Sequence, residues 1–598
     1  MRFKSIQVDG YRIFAVTGTN SVSFAIDFTK AKTQGLLGFA VERHDPKEDE
    51  RYFLYGFKVF KSIFAVPTPD ILVSTRDHPV QSFVYDDFTA KPEQTYTYYF
   101  YPIKGKPKNL DRSAEPIPIT IETEAAFSKL EHDIFFNRGV ASSQAYRRRF
   151  DNRSPEQFRK AGEAQKAKEA LDWLSRDLDD AMLRFIDQAE TGDTLLGCFY
   201  EFRYEPVIEA LKRATVERRV TLKLIIDAKE NQTSDKEAFP REENLQQVQR
   251  AGLKIGTQVL LREARKNEIQ HNKFMVLLKG SSKDPIAVWT GSTNLSIGGI
   301  HGQTNVGHWI RNADVAAKFK SYWELLADDP GAQIGDTLAE TRHKNNQLRQ
   351  AVAAIDASPS EWRDFPTGVT PIFSPRSGLK ILEMYANLLD EAESLACITL
   401  AFGVNKLFKE RLIDNTYRNA LTFFLLERED KPDADNPDTF IRLSAQNNTY
   451  MAFGSYLKNP LHQWAKETSA KILGLNQHVS FIHSKFLLKD PLGDDPIVVT
   501  GSANFSAAST NENDENMVVI RGNQRVADIY FTEFNRLFSH YYFRSVQSRI
   551  NQSDRPKNAP SLFLEESDQW LDKYSLGSLK RKRVEVFVKM ADAQVLSV

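Results

Sequence analysis

Residues 1 to 128 alternate short apolar and polar positions in "SVSFAIDF", "GLLGFAVER", "RYFLYGFKVF", "VQSFVYDDF", "TYTYYFYPI" and "IPITIET", separated by Asp, Gly, Pro and Lys. Period-two alternation at such intervals predicts half-buried strands in an antiparallel sandwich. A linker over 129–165 follows, and within it the period changes. Ser154-Pro155-Glu156 is a helix cap and first turn, and helical spacing runs on through "EAQKAKEALDWLSRDLDDAMLRFIDQAE". Strands and helices then alternate. "TLLGCFYEF" is a buried strand, "PVIEALKRATVER" an amphipathic helix and "VTLKLIIDA" a second strand, the rhythm of an α/β layer with a largely parallel sheet. The same order returns after residue 370 in "SLACITLAF", "NKLFKERLIDNTYR" and "ALTFFLLER". This repeat divides the chain into a first half at 166–355, a second at 356–555 and a C-terminal extension at 556–598, whose basic run "SLKRKR" is read as solvated.

The repeat also carries polar residues. His271-Asn272-Lys273 is followed by Gly291-Ser292-Thr293-Asn294, and His483-Ser484-Lys485 by Gly501-Ser502-Ala503-Asn504. In both frames an apolar run follows the Lys, then a turn containing Asp-Pro, a second apolar run and Thr-Gly-Ser, which predicts a β-hairpin ending in a small-residue turn. Packing alone does not call for His, Lys and Asn at repeated spacing. One His-x-Lys is a weak signal; both motifs together, twice, are a specific one.

The arrangement resembles the phospholipase D superfamily, whose signature is His-x-Lys-(x)4-Asp followed by Gly-Ser-x-Asn. The resemblance covers roughly residues 170 to 550. In the second copy Asp490 completes the motif; in the first, Leu278 stands in its place. Tyrosyl-DNA phosphodiesterases of the same superfamily dispense with this Asp in both copies. The resemblance implies an α/β fold in which two pseudo-symmetric α-β-α halves pack as an intramolecular dimer behind the all-β sandwich, with one active centre built from both.

Cleaving a phosphodiester requires a nucleophile on one side of phosphorus and a proton for the leaving oxygen on the other, and two imidazoles can supply both near neutral pH. The family implies a covalent phosphohistidine intermediate, with His271 attacking and His483 acting as acid and then base. Lys273 and Lys485, with Ser292, Asn294, Ser502 and Asn504, would surround the non-bridging oxygens. Glu515 follows the second Gly-Ser-x-Asn at the interval where a histidine-orienting carboxylate is common, so it is the expected partner of His483. Gln303, Thr304 and Asn305 at the equivalent place would leave His271 with an uncharged partner, less basic and ready to attack. Asp490 is expected to support the phosphate site. No metal and no cofactor is expected.

The 79 acidic and 79 basic residues balance, so partners must be held by local patches, of which Arg147, Arg148 and Arg149 form one. Nucleic acid is the expected substrate and phospholipid the alternative; a non-catalytic phosphate-binding scaffold is a third reading. With 41% hydrophobic residues the chain can bury several cores, yet no stretch approaches eighteen apolar residues, and the N-terminus lacks a continuous apolar run. A cytoplasmic protein is expected. Cys198 and Cys397, at matching places in the halves, are read as buried thiols. His301, His308 and His478 are read as structural, while Glu201, Arg203, Ser374 and Arg376 could reach the pocket from strand ends. The stretch "DDFTAKPEQTYTYYFYPIKG" resembles a fibronectin type III or immunoglobulin-like domain, with Tyr96 where such domains place a corner tyrosine. That resemblance implies a spacing module or a surface for a protein partner.

Overall fold

The computed structural model describes residues 1–66, 71–139, 144–230, 239–266, 268–356, 358–359, 361–415, 420–432, 440–454, 481–550 and 563–596. Its N-terminal region is all β. Arg2–Lys4, Tyr11–Thr17, Val22–Phe28 and Val84–Asp87 pair in one antiparallel sheet, while Gly38–Asp45, Glu50–Phe53, Thr95–Lys106, Asn109–Asp111 and Ile117–Glu122 form a second. Alternation in Thr95–Lys106 turns Tyr96, Tyr98 and Phe100 into the core. "RYFLYGFKVF" is not one strand: it breaks into Glu50–Phe53, Tyr55–Gly56 and Val59–Phe60.

Each half contains one seven-stranded sheet. In the first half the strands are β1 (His132–Phe136), β2 (Thr194–Phe199), β3 (Thr221–Asp227), β4 (Val259–Arg262), β5 (Lys273–Lys279), β6 (Asp284–Gly291) and β7 (Val306–Ile310). In the second they are β8 (Gly368–Ser374), β9 (Leu395–Leu400), β10 (Leu421–Leu426), β11 (Thr449–Phe453), β12 (Phe486–Lys489), β13 (Ile497–Gly501) and β14 (Glu515–Arg521). The orders β1-β7-β6-β5-β2-β3-β4 and β8-β14-β13-β12-β9-β10-β11 are the same topology twice. The central strands β2 and β9 are buried along their whole length, which is why they are continuously apolar rather than alternating.

The sheets are mixed rather than largely parallel. Only β2-β3-β4 and β9-β10-β11 run parallel; the hairpins β5-β6 and β12-β13 that carry the repeated motif and the strands beyond them are antiparallel. The segment read as a linker contributes β1, at the sheet edge against β7, and the helices Gln144–Phe150 and Pro155–Lys160. Ser154 caps the second of these in a capping box with Gln157. The expected helical run is broken into Pro155–Lys160, Ala164–Ser175 and Leu178–Asp187, with Arg176 at φ 52 between the last two.

The helix Gln524–Ile550 runs from the second sheet to the N-terminal strand Tyr11–Thr17, and one core joins all three regions. The C-terminal extension returns to the N-terminal region. Phe563–Leu564 pairs with Val59–Phe60, and Trp570 donates to the Leu36 carbonyl at 2.8 Å. Its basic run is half-buried rather than solvated: Arg581 lies over Phe28, Lys582 donates to Asn448 Oδ1 at 3.0 Å and Arg583 lies over Phe423.

Candidate active site

The residues leading into each His-x-Lys pair with the other half. His271 N–H donates to the Asp514 carbonyl at 2.9 Å and Asp514 N–H to the Ile269 carbonyl at 3.0 Å; likewise His483 N–H faces the Thr304 carbonyl at 3.3 Å and Thr304 N–H donates to Phe481 at 2.7 Å. These short parallel bridges set β14 and β7 against the opposite motifs. Within each half a glycine lets the Gly-Ser turn lie close against the following strand, since a Cβ on Gly291 would lie 2.2 Å from the Val306 carbonyl oxygen and one on Gly501 2.2 Å from that of Asn516.

The side-chain partners therefore cross, contrary to the sequence expectation. Glu515 Oε2 accepts from His271 Nδ1 at 2.9 Å, and Asn305 Oδ1 faces His483 Nδ1 at 3.0 Å. Asn305 Nδ2 donates to the Gly299 carbonyl at 2.8 Å, which turns its Oδ1 to the ring and makes Nδ1 of His483 the protonated nitrogen. The motif serines hold the partners: Ser292 Oγ donates to Asn305 Oδ1, and Ser502 Oγ to Glu515 Oε2, both at 2.8 Å. So each Gly-Ser turn orients the histidine of the opposite half. The two imidazole rings thus come together from opposite halves, their centroids 6.5 Å apart.

Lys273 and Lys485 are buried, and their Nζ atoms donate to the carbonyls of His271 and His483 at 2.5 and 2.6 Å. Tyr200 walls the first histidine, with ring centroids 4.9 Å apart. Asn294 and Asn504 follow the serines with buried Oδ1 atoms that have no partner. Burial and the two lysines hold both imidazoles well below the usual histidine range. Burial lowers Lys273 to about 8 against the pull of Glu515 and Glu201, and lowers Lys485 well below the ordinary lysine value. Burial raises Glu515 to about 7 against the same lysines. An arriving anion offsets the lysine charges and favours protonated groups around it.

Asp490 lies elsewhere. It follows β12, five residues past Lys485, which at about 3.3 Å per residue is roughly 16 Å along the strand. There its carboxylate accepts from the backbone of Glu393, Ser394 and Leu395 and fixes the start of β9. The first half performs this task from the neighbouring strand. Asp193 accepts from Gly280 N–H at 2.9 Å and pairs with Lys279 at 2.8 Å, while Leu278 is 1% exposed opposite Thr194. The loss of the motif Asp is thus compensated, and the residue is an anchor rather than a phosphate ligand. Leu278→Asp is expected to cost on the order of 3 kcal/mol by burying a second carboxylate beside Asp193, without raising turnover. A stable variant with higher turnover would contradict the anchoring role.

The remaining candidates separate. Glu201 acts on Lys273 and pairs with Arg203, whereas Arg376 pairs with Asp356; Ser374 stands opposite Glu515 on the neighbouring strand, and its carbonyl accepts from Tyr322. His301 contacts Leu171 and Tyr204; His308 contacts His132 and Tyr530. His478 lies outside the described residues. Cys198 and Cys397 are free and buried on equivalent strands, but two positions out of register: Cys198 opposes Phe274 and Cys397 opposes Leu488, the counterpart of Val276. Arg147, Arg148 and Arg149 close the helix Gln144–Phe150. Sequence reasoning missed Asn272 and Asn516, which bond across the halves at 2.8 Å, and the buried pair Arg262–Asp514.

Segments 182–326 and 397–538 match the family described as cardiolipin synthase, PLD-like domain. No curated protein matches the chain in sequence. Among solved structures, phosphatidylserine synthase of Haemophilus influenzae is 12% identical with a TM-score of 0.42, covering 69% of this chain and 93% of its own. Nuc, a phospholipase D family member from Salmonella typhimurium, is 16% identical with a TM-score of 0.21, over 29% of this chain and 95% of its own. A yeast tyrosyl-DNA phosphodiesterase is 9% identical with a TM-score of 0.29, over 56% and 84%. With the twin motifs on matching hairpins and a family match in both halves, residues 182–326 and 397–538 are the two segments of a phospholipase D-like domain.

Proposed function

We propose that the protein hydrolyses phosphodiesters of nucleic acid through a phosphohistidine on His271. The supporting observation is the unequal pair of Nδ1 partners, a carboxylate on His271 and an amide on His483. Attack by His271 Nε2 on phosphorus makes the ring cationic, and Glu515 offsets that charge; His483 ends the same step neutral and needs no carboxylate. This reading keeps His271 in the role that family resemblance implies, but for the opposite electrostatic reason. In the first step the P–O bond breaks as N–P forms, and the leaving oxygen takes the Nε2 proton of His483, gained when the anionic substrate binds. In the second, neutral His483 takes a proton from water, whose oxygen attacks phosphorus and releases His271. Lys273, Lys485, Asn294 and Asn504 hold the non-bridging oxygens.

The pH profile follows from two groups. Glu515 is ionised only above about 7, and Lys273 is charged only below about 8. The profile of kcat/KM is therefore expected to rise through the first value and fall through the second, and Glu515→Gln to remove the rising limb together with most of the rate. A wild-type limb retained in Glu515→Gln would remove Glu515 from the mechanism.

The nucleic-acid reading draws on the Arg147–Arg149 cluster, on the lack of a helix long and apolar enough to cross a membrane among the described residues, and on two free thiols suited to a reducing cytoplasm. The phospholipid reading is favoured by the name of the matched family, cardiolipin synthase. Cleavage of single- and double-stranded DNA is to be compared with turnover of phosphatidylcholine vesicles across a salt series, with His271→Ala as blank. Nucleic-acid binding is expected to fall steeply with salt and to weaken in the triple Arg147, Arg148 and Arg149 to Ala variant. Lipid turnover without cleavage of any DNA form would overturn the substrate class. The N-terminal region we read as a fibronectin type III-like spacing module; Tyr96 OH accepts from Lys91 N–H, five residues back, at 3.1 Å, as a corner tyrosine does.

A further inference from the structure

Each histidine is held by the opposite half, yet ions hold only one of them. At the end of β4, Arg262 is fully buried, with Nε 2.9 Å from Asp514 Oδ2 and Nη1 2.8 Å from Asp329 Oδ1. Arg265 Nε stands 3.4 Å from the other Asp514 oxygen. Asp514 in turn accepts the His271 N–H through its carbonyl and directly precedes Glu515, whose carboxylate meets His271 Nδ1. A continuous line therefore runs from Arg262 in the first half, through Asp514 and Glu515 in the second, back to His271 in the first.

The pseudo-symmetric line has no ion pair. Leu261 and Phe453 occupy equivalent pairings, opposite Ile226 and Leu426, so Gly454 stands where Arg262 does. A Cβ on Gly454 would meet Phe481 Cβ at 2.9 Å, so the place admits no side chain without movement. Thr304 stands for Asp514 and Asn305 for Glu515. The Thr304 carbonyl still receives His483 N–H, and Glu427 accepts from Phe481 and Ile482 N–H, so this backbone bridge forms without a counterpart of the Arg262–Asp514 pair. Burying an arginine and an aspartate is costly, and the second half shows that the local backbone geometry does not require it.

We propose that Arg262 and Asp514 are positioning residues that keep Glu515 ionised, and so make His271 rather than His483 the histidine that takes the phosphoryl group. The inference rests on the phosphodiesterase reading. Glu515 is faced by His271, by Lys273 from β5, with Glu201 beyond that lysine, and by Lys485 ahead of β12. Tyr200 also feels its charge, while Asp514 directly precedes it and is itself met by Arg262 at the end of β4, by Arg265 beyond that strand and by Asp227 at the end of β3. With its charge cancelled by Arg262, Asp514 can fix the strand without acting as a second carboxylate next to Glu515. With Arg262 removed, Asp514 repels Glu515 and raises its proton affinity.

The experiment is a double-mutant cycle of Arg262→Met and Asp514→Asn, read by kcat, KM and the acid limb of kcat/KM on a phosphodiester that the wild type turns over. Arg262→Met is expected to move the limb up by about one pH unit and to lower kcat at neutral pH about tenfold, with KM little changed. Asp514→Asn is expected to move the limb down, and the double variant to return it to the wild-type position. Should Arg262→Met fail to fold, by melting and circular dichroism, Asp514→Asn and the charge-balanced double variant carry the test. An acid limb that stays at the wild-type pH in folded Arg262→Met, or one that does not fall in Asp514→Asn, overturns the proposal while leaving the phosphodiesterase reading intact. A wild type inactive on every phosphodiester tried, and equal to its His271→Ala blank, overturns both.

Discussion

Alanine at His271 is expected to lower phosphodiester turnover by about four orders of magnitude or more, because the attacking atom itself is lost. His483→Ala is expected to behave differently. A poor leaving group such as an alkoxide needs the His483 proton, so turnover of a natural substrate falls by roughly 10²–10⁴-fold. An ester with a good leaving group, such as p-nitrophenolate, needs no such proton and still transfers its phosphoryl group. The second step then stalls for want of a base to activate water. A stoichiometric burst and an acid-labile adduct on His271, located by mass spectrometry, are the expected outcome. An adduct on His483 in His271→Ala, with none on His271 in His483→Ala, would reverse the assignment.

Glu533→Gln is expected to destabilise the folded chain by about 3–5 kcal/mol. Glu533, 1% exposed on the long helix Gln524–Ile550, pairs with Arg176 at 2.7 Å and with Arg536 at 2.8 Å, and accepts from Ser21 Oγ at 3.0 Å. One carboxylate thus ties the N-terminal region, the first half and the second half together. Burial works to raise its pKa, but the two guanidiniums prevail and hold it at about 2. Its folded value is depressed, so its contribution is fully present above the ordinary value of 4.5 and is lost as pH falls through about 2. Denaturation midpoints of wild type and variant are therefore expected to differ most at neutral pH and to converge in acid. Equal midpoints at pH 7 would remove Glu533 from the account of interdomain stability.

The chemistry-bearing residues were legible because they sit on regular hairpins whose period repeats. His271, Lys273, His483 and Lys485 stand at the same point of the same frame, and each hairpin delivers its motif to the end of a central strand. What was not legible is set by docking rather than by local pattern. Glu515 lies close in sequence to Ser502 and Asn504 of its own copy, which suggests service to His483, yet the bridge from Gln270 to Asp514 delivers it to His271. Asp490 completes a motif on paper and fixes a strand start in space, and Asp193 shows that the same anchor can come from the neighbouring strand. The run "HDIFF" is too short and too closely flanked by polar residues to announce itself as β1. The basic run after Ser578 reads as surface because its partners, Asp27, Phe28, Phe423 and Asn448, are distant in the chain.

The crossed pairing has a consequence for the chain during its synthesis. His271 and Glu515 are 244 residues apart, and His483 and Asn305 178. At about 5–20 residues per second, a ribosome needs roughly ten to fifty seconds after making the first histidine before the carboxylate exists. Through that interval the first half can fold its own sheet but carries an unpaired His271, facing no acid and only one of the two lysines. On the proposed mechanism the site is complete only when β14 emerges and seats against the earlier half, so the nascent protein is expected to stay inactive until its last sheet is nearly finished.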